Sequence, residues 1–109
     1  MELRPPCLDH VAIRVTDIRR AVDWYLDKYD ASEVFSDDTW GMIEINGIKI
    51  AFILEDSHPP HIAFTQFSKV PAEAKRHRDG SWYIYDRDPD GNVIERIWWP
   101  SDFPEPEKT

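Results

Sequence analysis

Two histidines and one glutamate stand at positions that repeat within the chain. His10-Val11-Ala12-Ile13 returns as His61-Ile62-Ala63-Phe64. Asn46-Gly47-Ile48-Lys49-Ile50-Ala51 returns, in the same order, as Asp90-Gly91-Asn92-Val93-Ile94-Glu95. An internal duplication decides architecture. Here it also aligns His10 with His61 and Ala51 with Glu95, giving three potential metal ligands and one lost position. Two imidazoles and one carboxylate on a common face are the donor set of non-haem iron(II), and the set also suits other divalent ions such as manganese, nickel and zinc. It leaves several coordination positions open, through which a substrate can chelate by two neighbouring oxygens. The chemistry such an ion supplies is carbonyl polarisation, enediolate stabilisation or dioxygen activation.

These side chains need strands to hold them. Leu8 to Val15 alternates strictly, with Val11, Ile13 and Val15 on one face and His10, Ala12 and Arg14 on the other. Asp17 is a natural N-cap for a helix running to about Tyr29, whose stripe of Ile18, Ala21, Val22, Tyr25, Leu26 and Tyr29 would cover the apolar face of that strand. Arg19 and Arg20 fall on its solvent side. A short strand over Ala31–Phe35 follows, then strands over Trp40–Ile45 and Ile48–Leu54. The last two are joined by Asn46-Gly47, the strongest short signal for a two-residue type I′ hairpin. Ile48, Ile50, Phe52 and Leu54 share a face, leaving Lys49, Ala51 and Ile53 on the other.

Pro59-Pro60 separates the copies. The second opens with a strand over His61–Gln66, in which His61 shares a face with Ala63 and Thr65. A weak helix with Pro71 in its first turn is expected next, over Ala72 to Lys75. Asp79-Gly80 reads as a turn, Ser81–Asp86 as a strand, Asp88–Gly91 as a turn, and Asn92–Trp99 as a strand. No second strand can be placed in this copy. His58 and His77 fall in loops and read as surface residues. The tail from Pro100 onward, rich in proline and charge, reads as loose.

At 109 residues the chain fits one domain, with module one at about 6–56, module two at about 59–100 and the tail at 101–109. Hydrophobic content of 41% and aromatic content of 13% are globular values. A net charge of −8 opposes binding to nucleic acid, and no apolar run is long enough for a membrane span. The lone cysteine, Cys7, cannot form an intrachain disulfide, which points to a reducing, cytoplasmic setting.

The segments Asp9-His10-Val11-Ala12-Ile13-Arg14-Val15-Thr16-Asp17-Ile18, Arg20-Ala21-Val22-Asp23-Trp24-Tyr25, His61-Ile62-Ala63-Phe64 and Asp88-Pro89-Asp90-Gly91-Asn92-Val93-Ile94-Glu95 resemble the vicinal oxygen chelate superfamily. That group includes glyoxalase I, extradiol dioxygenases, methylmalonyl-CoA epimerase, fosfomycin-resistance proteins and bleomycin-binding proteins. The resemblance covers most of residues 8–99. It implies an α+β fold of tandem βαβββ modules, the second one shortened, forming a curved mixed sheet that encloses a cup. It implies a metal held by His10, His61 and Glu95, with the family's fourth ligand absent at Ala51. That loss shifts weight towards dioxygenase-like or fosfomycin-transferase-like sites without choosing between them.

A carboxylate on a buried strand face needs a metal or a positive partner, and an ion pair with Arg14 is the alternative for Glu95. Arg14 and Lys49 fall on the ligand side by parity and can neutralise an acidic substrate; Thr65 shares the His61 face, and Trp40 can line the mouth. Tyr85 lies across from Glu95 if the Asp88–Gly91 connection is a bulged loop, and points outward if it is a two-residue turn. In the former case its hydroxyl serves as a proton or hydrogen-bond donor. Trp82, Trp98 and Trp99 read as core or dimer contacts. The leading expectation is a small divalent-metal enzyme acting on a vicinal-oxygen small molecule, assembled as a homodimer. The rivals are a metal-free protein that sequesters a drug, as in bleomycin resistance, and a partner module that has lost activity.

Overall fold

Asp17 caps the helix as expected. Its backbone is extended, and its side chain accepts from the Arg20 backbone N–H at 3.0 Å. The structure, a computed structural model, describes residues 4–54 and 58–100. Over these residues it has β1 (Cys7–Arg14), α1 (Ile18–Tyr29), β2 (Ser32–Ser36), β3 (Trp40–Ile45), β4 (Ile48–Ile53), β5 (His61–Thr65), β6 (Lys75–Arg76), β7 (Trp82–Arg87) and β8 (Val93–Trp98). The expected loose tail and part of the connector before Pro59 lie outside the described residues. No helix among them is long and apolar enough to cross a membrane. The chain forms two compact units, one from Asp9 to Ile62 and the other from Ala63 onward together with the segment ending at Leu8.

In the first unit the strands run in the order β2-β3-β4-β1. β1 pairs in parallel with β4, placing His10 beside Lys49 and Ala12 beside Ala51. Asn46 and Gly47 both take positive φ, 50° and 81°, as a type I′ turn demands, and so bring Ile45 opposite Ile48. Strand alternation then sorts the apolar side chains onto two faces. Ile43 and Phe52 pack under α1 against Ile18 and Val22, joined by Ile13, Val15, Ala21, Tyr25, Leu26 and Ile50. On the opposite face Ala12, Ala51 and Ile53 cluster with Met42. Tyr29, the last residue of the expected stripe, is 54% exposed and contacts Trp24 and Tyr25 instead of the core. Arg19 is exposed but engaged: its guanidinium binds Asp23 and Glu33 and also reaches Ser36, tying the first turn of α1 to β2. Those hydrogen bonds hold the Glu33 carboxyl below its ordinary value.

The second unit has the order β5-β8-β7-β6, which repeats the β1-β4-β3-β2 connectivity of the first. One expectation fails here. Residues 71–74 make a turn closed by Ala74 N–H to Pro71 C=O at 3.1 Å, and Lys75–Arg76 is a strand paired with Tyr83 and Trp82. The four or so residues behind Pro71 are too few to repay helix nucleation, whereas pairing with β7 satisfies their backbone at once. The second copy is therefore short because it lacks its helix; the strand that could not be placed is β6. Trp82 and Trp98 are core residues, packed with Val70, Ala74 and Ile84, and the Trp98 indole donates to Ser68 C=O at 3.1 Å.

Candidate metal centre

His10 and His61 are each buried, at 7% and 8% exposure. Their rings meet edge to face, 5.5 Å apart between centroids. Strand alternation buries them: His10 shares its face with Ala12, and His61, Ala63 and Thr65 are the buried residues of β5. In both rings the Nδ1 atom is already engaged. Asp9 Oδ2 lies 2.6 Å from His10 Nδ1, and the Pro59 carbonyl oxygen lies 2.7 Å from His61 Nδ1. A carbonyl and a carboxylate can only accept, so each Nδ1 carries the proton. In a neutral imidazole this leaves the lone pair on Nε2. Metal-binding histidines are oriented in this way, with the second ring nitrogen donating to a carboxylate or backbone carbonyl.

Glu95 is 2% exposed in the middle of β8. The β7–β8 connection is the bulged form: Arg87 pairs with Val93, and Asp88 caps the loop by accepting from the backbone N–H of Asp90 and of Asn92. A hydrogen bond from the Asn92 side chain, joined by these backbone bonds, holds the Asp88 carboxyl below its ordinary value. The bulge sets the register that puts Tyr85 directly opposite Glu95. Burial, then the negative charge of Glu95, pushes the Tyr85 phenol well above its ordinary value, so the hydroxyl stays protonated.

Among the described residues, His10, His61 and Glu95 form a group able to hold a metal ion. One ligand atom from each lies within 4.8 Å of the others, and all three residues are buried. Two Nε2 lone pairs and a carboxylate suit a borderline divalent cation and do not complete its shell. Ala51, where the resemblance implies a fourth ligand, lies on the face of β4 that also carries Lys49 and Ile53.

His77 is the residue that sequence reading missed. Instead of lying on the surface, it is partly buried, and its Nε2 lies 2.7 Å from Glu95 Oε2. Its ring stacks on Tyr83, 3.8 Å between centroids and 12° from parallel. Its place follows from the pairing of β6 and not from any local sequence signal. His77 N–H bonds Ser81 C=O in the turn that links β6 to β7, and once β6 is placed, alternation puts His77 on the face of Tyr83, Tyr85 and Glu95. Asp9 was also overlooked in its role beside His10. Lys49 is half-buried, beside His10 in register and opposite Glu44. Thr65 is buried. Arg14 is exposed at the end of β1. Trp40 is half-buried with its ring 4.7 Å from that of Phe35.

No family model matches the chain, and no curated protein does either. Solved structures do. A methylmalonyl-CoA epimerase from Mycobacterium tuberculosis aligns with a TM-score of 0.62 at 20% identity over 84% of this chain and 87% of that one. A Streptomyces coelicolor methylmalonyl-CoA epimerase variant in complex with 2-nitronate-propionyl-CoA aligns at 0.72 and 17% identity over 95% and 100%. A glyoxalase/bleomycin resistance protein/dioxygenase superfamily member from Vibrio splendidus aligns at 0.66 and 9% identity over 87% and 100%. The fold is that of the vicinal oxygen chelate superfamily, as the repeated segments implied.

Proposed function

We propose that the chain is a divalent-metal enzyme acting on a small molecule that carries neighbouring oxygens, through a site of His10, His61 and Glu95. The observation that carries this reading is the matched engagement of both histidines: Asp9 and the Pro59 carbonyl each accept a hydrogen bond from an Nδ1–H, which places the lone pair of each neutral ring on Nε2, the atom a metal would take. A sequestering pocket has no need of two paired imidazoles. A bound ion would supply Lewis acidity, or a site for dioxygen, in the dioxygenase- or glyoxalase-like chemistry open to this fold. The chain's own groups would do the rest. Tyr85, held protonated, is the donor of a hydrogen bond or proton. Lys49 and Arg14 neutralise an acidic substrate, while Thr65 and Trp40 contact it. The similarity to epimerases solved with acyl-CoA ligands supports a small acyl substrate.

The test is the metal content of protein purified without a chelating tag, set against the His10→Ala/His61→Ala double variant. The expected result is stoichiometric iron, manganese, nickel or zinc in the wild type and loss in the variant. If the wild type binds none of the four even on reconstitution, the reading fails and metal-free sequestration of a ligand takes its place. The same reading makes the protein a cytoplasmic homodimer. The lone Cys7 thiol supports the compartment, and Trp24, Val34 and Ile48, each about half exposed, provide apolar surface for a second copy. Light scattering that finds only monomer removes the dimer.

A further inference from the structure

We infer that His77 is a positioning residue for the metal centre, pinning the Glu95 carboxylate so that it meets the ion through a single oxygen. The inference rests on the proposed metal site and concerns a residue outside its ligand set. An ionised carboxylate at 2% exposure is costly to hold unless hydrogen-bonded. His77 Nε2 supplies such a bond to Oε2 at 2.7 Å. A carboxylate free to pivot can offer one oxygen or two to a cation; one whose Oε2 is tied to a neighbouring ring is turned and held.

The ring that ties it is itself fixed from two directions. Stacking on Tyr83 sets the plane of the imidazole. The turn behind it sets the backbone, with His77 N–H bonded to Ser81 C=O at 2.8 Å and Gly80 N–H to His77 C=O at 3.0 Å. Asp79 closes the turn by accepting from the Ser81 backbone and hydroxyl at 2.9 and 2.6 Å. His77 thus completes a pattern already present at the other ligands, where Asp9 orients His10 and the Pro59 carbonyl orients His61. Each proposed ligand has a neighbour that fixes its direction. By holding Glu95 to one oxygen, His77 keeps a further coordination position open for substrate.

The experiment compares wild type with His77→Phe, which keeps a ring to stack on Tyr83 but has no donor, and His77→Gln, which keeps an N–H donor. Affinity for Co2+ is measured by competition with a chelator, and the visible absorption of the bound ion reports its coordination number. His77→Phe is expected to weaken Co2+ binding about 10–100-fold, the usual cost of losing a hydrogen bond to a metal ligand, and to change the absorption as Glu95 turns. His77→Gln is expected to recover both towards wild type. Melting temperatures of the metal-free proteins separate positioning from folding. If His77→Phe does not fold, Tyr83→Leu removes the stack while sparing the donor and is read in the same way, with weaker binding expected. Wild-type affinity and spectrum in His77→Phe, or in the variant that replaces it, overturn the inference and leave the metal site standing. Equal loss in the Gln and Phe variants, matched by equal loss of melting temperature, also overturns it. A wild-type protein that takes up no Co2+ overturns the metal site and the inference with it.

Discussion

Tyr85 and Glu95 are cross-strand partners in the β7–β8 ladder. A half-buried phenol thus shares a strand face with a buried carboxylate. Burial disfavours the phenolate, and the negative charge of Glu95 disfavours it further, so the Tyr85 pKa is raised. An absorbance titration at 295 nm should show this. The difference between wild type and Tyr85→Phe should contain no tyrosinate rising at the ordinary value of about 10, and should appear only at higher pH. Glu95→Gln removes the charge and should bring that rise back towards the ordinary range. The linkage has a definite sign: the folded form holds this proton more tightly than the unfolded chain, so Tyr85 contributes stability below pH ~10 that is lost as pH rises towards the folded value. Unfolding of Tyr85→Phe should be correspondingly less sensitive to alkali. A tyrosinate signal from Tyr85 at its ordinary pKa would contradict the placement.

Asp9 should matter to metal binding though it is not a ligand. Its Oδ2 fixes the His10 ring by accepting from Nδ1 at 2.6 Å, and both side chains are about nine-tenths buried. Asp9→Ala removes the acceptor and lets the ring turn or change tautomer. The expected result is metal affinity about 10–100-fold weaker, with Asp9→Asn, which retains an oxygen acceptor, falling between. Chelator competition gives the constants. Wild-type affinity in Asp9→Ala would mean that packing alone sets the ring.

At Gly41 α1 presses tightly against β3. A Cβ at this position would lie 3.0 Å from Ile18 Cγ2, 3.2 Å from Val22 Cγ2 and 3.3 Å from Ser36 Cβ. Ile18 and Val22 are core residues with little room to give. Gly41→Ala must push the helix off β3 and should cost about 1–3 kcal/mol, the usual range for overpacking. Denaturant unfolding measures it. The entropy gained by replacing glycine would stabilise the protein by only about 0.4–1 kcal/mol, so the net sign is destabilising. A variant as stable as wild type would show that the helix rides higher than described.

Strand parity carried most of what the sequence revealed. The alternation in β1 and β4 correctly separated Ile13, Ile50 and Phe52 from His10, Lys49 and Ala51, and the Asn46-Gly47 turn fixed their register. Glu95 was legible because a carboxylate interrupted an apolar strand. His77 was not, because its position depends on a two-residue strand with no periodicity of its own. β6 exists only through its pairing with β7, and such pairing leaves no local trace. The same loss of local signal explains the helix expected after Pro71. Asp9 was hidden for another reason: a residue that orients a ligand need only be adjacent, and adjacency has no pattern.

Ala51 offers a direct test of whether its position is that of a fourth ligand. It is 5% exposed on the His10 side of β4, among Ala12, Ile53 and Met42. Ala51→Glu inserts a carboxylate into that apolar cluster. Without metal, the variant pays for desolvating the charge and for the added volume, and its melting temperature should fall well below that of wild type. With metal, a fourth donor should coordinate and offset part of that loss, because a ligand bound only by the folded state raises stability with its affinity. The metal-induced rise in melting temperature should therefore be larger in Ala51→Glu than in wild type. An open coordination position would be consumed in the process, so any activity on a chelating substrate should drop. If saturating metal raises the two melting temperatures equally, Ala51 does not occupy a ligand position, and the three-residue centre was never a reduced form of a four-residue one.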